Sequence, residues 1–321
     1  MGHRLSIIII NYCSFDLTLQ CLTSLEHEID PAKDVVVLVD NNSPDGSGKI
    51  IEEKIIDNQW DSWISMVHSP VNGGFSWGNN LGIKTVKAQF YLLLNSDTIV
   101  RPGALSHLLD AMEHHPKAGL VSPRLEWPDA TPQISCFNNH TPLSQTIDAA
   151  GTGPVTRLLK SYDVPMEVSD GPMYPPWTSF ACVMIRHNVI REVGMMDDGY
   201  FMYFEDNDYC RRVWEKDWQI LHQPRARVVH LRGGSSSVKS SLAKRKRLPH
   251  YFYASRTRYF AKFTGTGGLF LANLLWTAGW LVAGIRERLG NKEPHNCQYS
   301  ARDTWIQFTD PLKENQSLRR P

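Results

Sequence analysis

Asp97, Glu205, Asp206 and His230 are the residues of this chain whose types and settings suit chemistry. Asn95-Ser96-Asp97 closes the apolar run Phe90-Tyr91-Leu92-Leu93-Leu94. Five apolar residues without polar alternation read as a strand buried on both faces. In open α/β sheets, ligands bind beyond the carboxyl ends of such strands. A carboxylate placed there can hold a hard cation, and the cation can hold a diphosphate. The competing reading is a turn and helix cap ahead of Pro102, since Asn, Ser and Asp all favour turns. The second acidic focus is Tyr200-Phe201-Met202-Tyr203-Phe204-Glu205-Asp206-Asn207-Asp208. Aromatic walls desolvate a carboxylate, raise its pKa and suit it to act as a general base. The alternative is that these acids complement a helix macrodipole, and one of the three can serve that end alone. His230 lies between Val229 and Leu231, and a lone histidine in a strand is more often packed than ligating.

Alternating elements must position these groups. Leu5–Ile10 and Val35–Val39 read as buried strands, followed by a short strand over Trp63–His68 and the central one. Ala118–Val121, Phe180–Ile185, Ile220-Leu221 and Val228–Leu231 read as further strands. Helical spacing covers about Phe15–Glu26, the stretch carrying Ile50, Ile51, Ile55 and Ile56, Ser76–Lys87, Pro102–Met112 and Glu205–Lys216. Such alternation implies an α/β fold with a mostly parallel sheet and helices on both faces. Three polar clusters then fall at strand ends and line one crevice: Asn11-Tyr12, Asp40-Asn41-Asn42-Ser43 and Asn95-Ser96-Asp97. Asp40 suits a hydrogen bond to a base or ribose. The glycines of Asn72-Gly73-Gly74-Phe75, with Asn79 and Asn80 following, let backbone approach a ligand. No GxGxxG follows the first strand and no GxxxxGK[ST] occurs, which weakens dinucleotide and P-loop readings. Residues 123–176 lose periodicity and read as a partly irregular insertion lining one side of the cleft.

With 34 Lys and Arg against 33 Asp and Glu, no global field points to nucleic acid. The six cysteines show no CxxC and no framework spacing, which favours a reducing compartment. The N-terminus leads straight into the first strand and does not read as a signal peptide. The chain divides at about 237 into a catalytic unit, 1–237, and a basic then apolar helical C-terminal region, 238–321. A flexible loop is expected over 233–237. Between Lys239 and Lys262 stand eight basic residues and no acid. The apolar run Gly267–Ile285 that follows reads as a helix lying on an anionic membrane, with the basic segment facing headgroups. An ordinary packed helix and a true span are the alternatives.

The ordered set Ser6–Tyr12, Val39–Ser43, Asn72-Gly73-Gly74-Phe75 with Asn79, Leu94–Asp97, Gly199–Asp208 and Val229-His230 resembles the family 2 glycosyltransferases. Within them it looks most like the bacterial rhamnosyltransferase-type branch that builds cell-surface polysaccharides. The resemblance covers roughly Leu5 to Gly234. It implies a GT-A fold and inverting transfer from a nucleotide-diphosphate sugar, dTDP-rhamnose being the first choice. By that resemblance Asp206 is the catalytic base and Glu205 sits near the acceptor. Asp97 holds Mg²⁺ or Mn²⁺ and His230 is a further metal or diphosphate contact. Asp40 contacts the nucleoside, and Asn11, Asn42, Asn72, Gly73, Gly74, Asn79, Asn95 and Ser96 complete the donor side. Asn95 stands where the family's fuller DxD pattern has its first Asp, so metal affinity is expected to be modest. Trp177 and Tyr203 are placed on the acceptor side. Of the aromatics Trp177, Tyr200, Phe201 and Tyr203, at least half are expected to pack rather than stack on sugars. The implied partners are the donor, a saccharide or lipid-diphosphate-linked acceptor and the inner face of the cell membrane, with a homodimer open. A nucleotidyltransferase and a non-catalytic nucleotide-sugar-binding module are the rivals.

Overall fold

The computed structural model describes residues 2–232 and 237–315, so the loop expected at 233–237 lies, up to Ser236, outside them. In chain order the elements are β1 (His3–Asn11), α1 (Phe15–Leu25), β2 (Asp34–Asp40), α2 (Ser47–Asp57), β3 (Ile64–His68), α3 (Gly74–Thr85) and β4 (Ala88–Asn95). There follow β5 (Thr98–Val100), α4 (Ala104–His114), β6 (Ala118–Glu126), β7 (Cys136–Phe137), α5 (Ser144–Ala150) and α6 (Gly153–Leu158). The last are β8 (Trp177–Thr178), β9 (Cys182–Arg186), α7 (His187–Val193), α8 (Glu205–Trp214), β10 (Gln219–His230), α9 (Ser237–Ala243), α10 (His250–Gly290) and α11 (Ser300–Asp303).

One eight-stranded sheet has the order β3-β2-β1-β4-β9-β6-β10-β5. Its apolar strands are buried on both sides because helices cover both faces. Leu5, Ile7 and Ile9 face α1, α2 and α4, whereas Ile8, Val37 and Leu93 face α3, α7 and α8. The sheet is mixed: β9 runs antiparallel to β4 and β6, and β5 antiparallel to β10. The cause is the insertion. It leaves β6 at the carboxyl edge and stays there, so β9 must enter the sheet from that edge. The two short strands expected at 220–221 and 228–231 form one strand, β10, with a register shift between Gln223 and Arg227. Pro224 lies in that gap and cannot donate to the ladder.

The C-terminal region differs from its expected form in one respect. The later part of the basic segment, with Arg256, Arg258 and Lys262, and the apolar run belong to a single helix, α10, broken at Gly265 (φ 68°, ψ 178°), while the earlier cations up to Arg247 precede it. The cations of the basic segment do not all face outward. Lys262 Nζ reaches Asp208 at 2.6 Å and Asp197 at 2.9 Å. Arg258 pairs with Asp197 at 2.9 Å, and Arg247 with Asp303 at 2.6 Å. Arg256 is buried and donates to Gln145 and to Asn273, both at 2.7 Å. These partners are distant in sequence, so a count of cations along the segment could not reveal them. Burial raises the pKa of Asp197, but hydrogen bonds from Arg258 and Lys262 outweigh it and hold the carboxyl down at about 2. Asp208, wholly buried, is the acid of the first turn of α8 whose work is structural. Lys262→Met is expected to cost about 2 kcal/mol, less than a full buried-pair break because Arg212 still faces Asp208. Chemical denaturation would measure it.

Past Gly265, α10 packs one side on α5. A methyl group on Gly279 would lie 2.5 Å from the Thr146 carbonyl oxygen. Leu269, Ala272, Asn273, Trp276 and Ala283 are buried, while Phe270, Leu271, Leu274, Leu281 and Ile285 are exposed. The helix is long and apolar enough to cross a membrane, yet a third of its most apolar window is buried against protein. All six cysteines are free thiols.

Candidate active site

A cavity of about 600 Å³ opens beyond the carboxyl ends of β1, β2 and β4. Asp97, Asp206, Glu205 and His230 all line it, with Asn72, Gly74, Asn79, Asn95, Ser96 and Tyr203. Residues as far apart as Asn72 and His230 thus meet in one place. Register explains part of this. Asn11 is opposite Asp40, and Ile10 is opposite Asn95, so the three polar clusters end at one level.

His230 reaches Asp97 through β5, a strand the sequence did not suggest. After Asp97 the chain reverses as Thr98–Val100, and Thr98 pairs with His230 in the ladder. His230 Nε2 then lies 3.5 Å from Asp97 Oδ1, and both side chains are nearly buried. A carboxylate oxygen and an imidazole together suit a divalent cation. Among the described residues no group of three or more His, Cys, Asp and Glu could hold a metal by itself. A cation held by this pair would take its remaining ligands from water and from a ligand's oxygens.

Glu205 and Asp206 open α8. Tyr203 (φ 74°) and Phe204 (φ 68°) precede them in the left-handed region, where non-glycine residues are uncommon. Two such residues in succession reverse the chain sharply and aim the helix start at the cavity. Burial pushes the Asp206 carboxyl up to about 6, against the backbone hydrogen bonds it accepts, including one from the Asn207 N–H at 2.8 Å. Burial, followed by the charge of Asp206, pushes Glu205 well above the ordinary carboxylate range. One member of the pair thus holds its proton while the other titrates near neutrality. That is a suitable arrangement for a base.

Several expected donor-side residues stand behind the wall rather than on it. Asn11 is fully buried, and its amide donates to Asp40, Ser43 and Ser47 at 2.8, 3.1 and 2.9 Å. Its carbonyl accepts from Ser14 and Thr18. Asp40 accepts from Asn11 and Ser43 and packs against Gly48. These two residues fasten the loops after β1 and β2 to each other. Asn42 is an exposed turn residue with φ 61°. Gly73 is covered by Trp77. Trp177, placed on the acceptor side from sequence, stacks on Phe137 at 4.2 Å and donates to the Asn138 carbonyl at 2.7 Å. Tyr200 is likewise buried, while Phe201 and Tyr203 line the cavity, so the four aromatics divide evenly between packing and the wall.

The cavity also takes residues with no signal of their own in the sequence. Ser179, Phe180 and Ala181 arrive because β9 starts at the carboxyl edge, Tyr251 comes from α10, and Arg232 follows His230. The Asn41 side-chain amide donates to Asn72 Oδ1 at 3.0 Å and to the Gly74 backbone carbonyl at 3.1 Å, and so sets the turn that opens α3.

The sequence profile "Glycosyl transferase family 2" matches residues 6–153, and "Glycosyl transferase family group 2" matches residues 91–287. The N-acetylglucosaminyl-diphospho-decaprenol L-rhamnosyltransferase of Mycobacterium tuberculosis is 25% identical over 239 residues, covering 69% of this chain and 75% of that protein. The low-salt glycan biosynthesis hexosyltransferase Agl10 of Haloferax volcanii is 26% identical over 226 residues, covering 68% of this chain and 64% of that protein. Among solved structures, the mannosyltransferase PcManGT of Pyrobaculum calidifontis, in complex with GDP-Man and Mn²⁺, superposes with a TM-score of 0.54 at 12% identity. That superposition covers 97% of this chain and 85% of the other. S. aureus TarS 1-349 gives 0.53 at 13% identity, over 96% and 80%. The sheet order, the cavity beyond the strand ends and the matched profiles converge: this chain is a glycosyltransferase of GT-A fold and belongs to glycosyl transferase family 2.

Proposed function

We propose that the chain moves a sugar, dTDP-rhamnose being the first donor to try, onto a saccharide or lipid-diphosphate-linked acceptor with inversion. The observation that carries this reading is the meeting of the Asp97–His230 pair and the Glu205–Asp206 pair in one cavity. Asp206 takes the proton from an acceptor hydroxyl, whose oxygen attacks the anomeric carbon as the nucleoside diphosphate leaves from the opposite face. Glu205 and Tyr203 hold the acceptor beside it. Asp97 and His230 would hold a divalent metal, which supplies positive charge against the leaving diphosphate. The 25% identical rhamnosyltransferase bears a lipid-diphosphate acceptor in its name, which favours that class here.

Thermal stabilisation by a panel of nucleotide sugars with Mn²⁺ tests the donor, since a ligand of the native state raises stability by mass action. Product analysis by NMR then reads the anomeric configuration. Release of pyrophosphate in place of a nucleoside diphosphate, or retention of configuration, would overturn the reaction as written. Asp97→Ala is expected to weaken donor binding about tenfold or more and to flatten its dependence on metal, by loss of a charged ligand. Calorimetric titration of donor at several Mn²⁺ concentrations measures both.

In the same reading, residues 1–237 carry the chemistry, and 238–321 form the acceptor side and the membrane contact. The exposed face of α10 supports this, with Phe270, Leu271, Leu274, Leu281 and Ile285 in helical register and no charged residue between Lys262 and Arg286. Leu274→Glu with Leu281→Glu is expected to release the protein from vesicles of anionic phospholipid in a sedimentation assay. Unchanged partitioning would remove α10 from that role.

A further inference from the structure

The charge balance of the cavity wall raises a question that the metal site answers only in part. Asp97, Glu205 and Asp206 bring acids to it, and a nucleoside diphosphate brings more negative charge. Among the described residues lining the cavity, Arg232 is the sole Lys or Arg. Its position is built rather than incidental. The guanidinium donates from Nε to Gln133 Oε1, and from Nη2 to the Ile134 carbonyl at 3.1 Å. It also lies 5.7 Å from the centre of the Trp127 ring. Nη1 has no protein partner among the described residues.

Gln133 ties this arrangement to the metal pair. It is buried, and its amide nitrogen donates to the His230 carbonyl at 2.7 Å and to the Glu126 carbonyl at 3.1 Å. One side chain therefore fixes the backbone of His230 and the guanidinium of Arg232 together. A planar guanidinium held in this way is preorganised for phosphate oxygens, and little side-chain freedom is lost when it binds.

We infer that Arg232 is a donor-diphosphate ligand, a fixed cation that works alongside the Asp97–His230 pair, and that Gln133 is the positioning residue that holds it there. The inference rests on the donor reading above and deepens it. The site takes a nucleoside diphosphate, free or esterified to a sugar, and discriminates against the nucleoside monophosphate.

Calorimetric binding of a nucleoside diphosphate and the matching monophosphate to the full chain tests this, with and without Mn²⁺. Arg232→Gln is expected to weaken diphosphate binding about 10–100-fold, the range for a lost charge-assisted pair, and monophosphate binding far less. Arg232→Lys should recover part of the loss, because the charge returns without the fork. Gln133→Ala should shift diphosphate affinity in the same direction by less, and leave the acceptor KM unchanged. In EDTA the wild type should keep weak diphosphate binding that Arg232→Gln lacks. A folded Arg232→Gln with wild-type diphosphate affinity overturns the assignment while leaving the donor reading intact. A wild-type chain that binds no nucleoside diphosphate overturns the donor reading and this one with it.

Discussion

Asp206→Asn is expected to lower turnover by about 10²–10⁴-fold, the usual contribution of a positioned base, with donor affinity nearly unchanged. The amide keeps the shape of the carboxyl and most of its backbone contacts but cannot take a proton. Transient kinetics with saturating donor separates the two effects, since a base acts on kcat and a donor ligand acts on binding. Near-normal turnover in the variant would remove Asp206 from the role. The wild-type pH profile carries the same information. Burial lifts the Asp206 carboxyl to about 6, so its basic form accumulates only above that pH, and kcat/KM should rise through that value to a plateau. Stability should run the other way. An acid whose pKa is raised on folding binds protons more tightly in the native state, so the native state loses ground as pH climbs from about 4 to about 6. The loss is then complete at neutral pH. Asp206→Asn should therefore melt above wild type at pH 7, with the difference narrowing toward pH 4. A variant that melts lower at pH 7 would show that the carboxylate's contacts outweigh its burial.

Gly74→Ala is expected to dismantle the site and to cost about 3 kcal/mol or more of stability, through left-handed strain and overpacking together. Gly74 has φ +86°, and an added Cβ would lie 1.9 Å from the Phe201 carbonyl oxygen. That oxygen accepts the Phe75 N–H at 2.8 Å, so the start of α3 and the loop bearing Phe201–Asp206 touch backbone to backbone here. Neither side can yield without moving Asp206 or the turn set by Asn41 and Asn72. Gly46→Ala is the control. Gly46 has φ +77° with no atom within 4 Å of the added Cβ, so only the conformational cost of about 1 kcal/mol applies and activity should persist. Melting curves and donor KM for the two variants test the comparison. Equal behaviour of the two would show that the close approach at Gly74 is not what holds the site.

Much of the site was legible because its residues fall where elementary rules put them. Buried strands announce themselves as unbroken apolar runs, and polar residues that interrupt such runs lie at strand ends. Asp97 is legible in this way, and Asp206 from the aromatic run that leads into a helix start; both line the cavity. Asn11 and Asp40 obey the same rule, yet they bind each other and the neighbouring serines. Composition cannot separate these cases, since an Asn–Asp–Ser cluster satisfies its own hydrogen bonds as readily as a ligand's. Trp177 packs against Phe137 and Asn138 instead of lining the cavity, for a similar reason: an aromatic near a cleft and an aromatic in a core have the same sequence signature.

The sequence by itself determined the strand runs, the order of the polar clusters and the acidic start of α8, because each is encoded within a few residues of itself. Tertiary structure alone decided the direction of β9, the seating of His230 beside Asp97 through β5, the inward turn of Arg256, Arg258 and Lys262, and the coupling of Gln133 to Arg232. Each of those depends on partners dozens of residues away. No local pattern records such a partner, because the energy that selects it arises only when the folded sheet brings the two groups into contact.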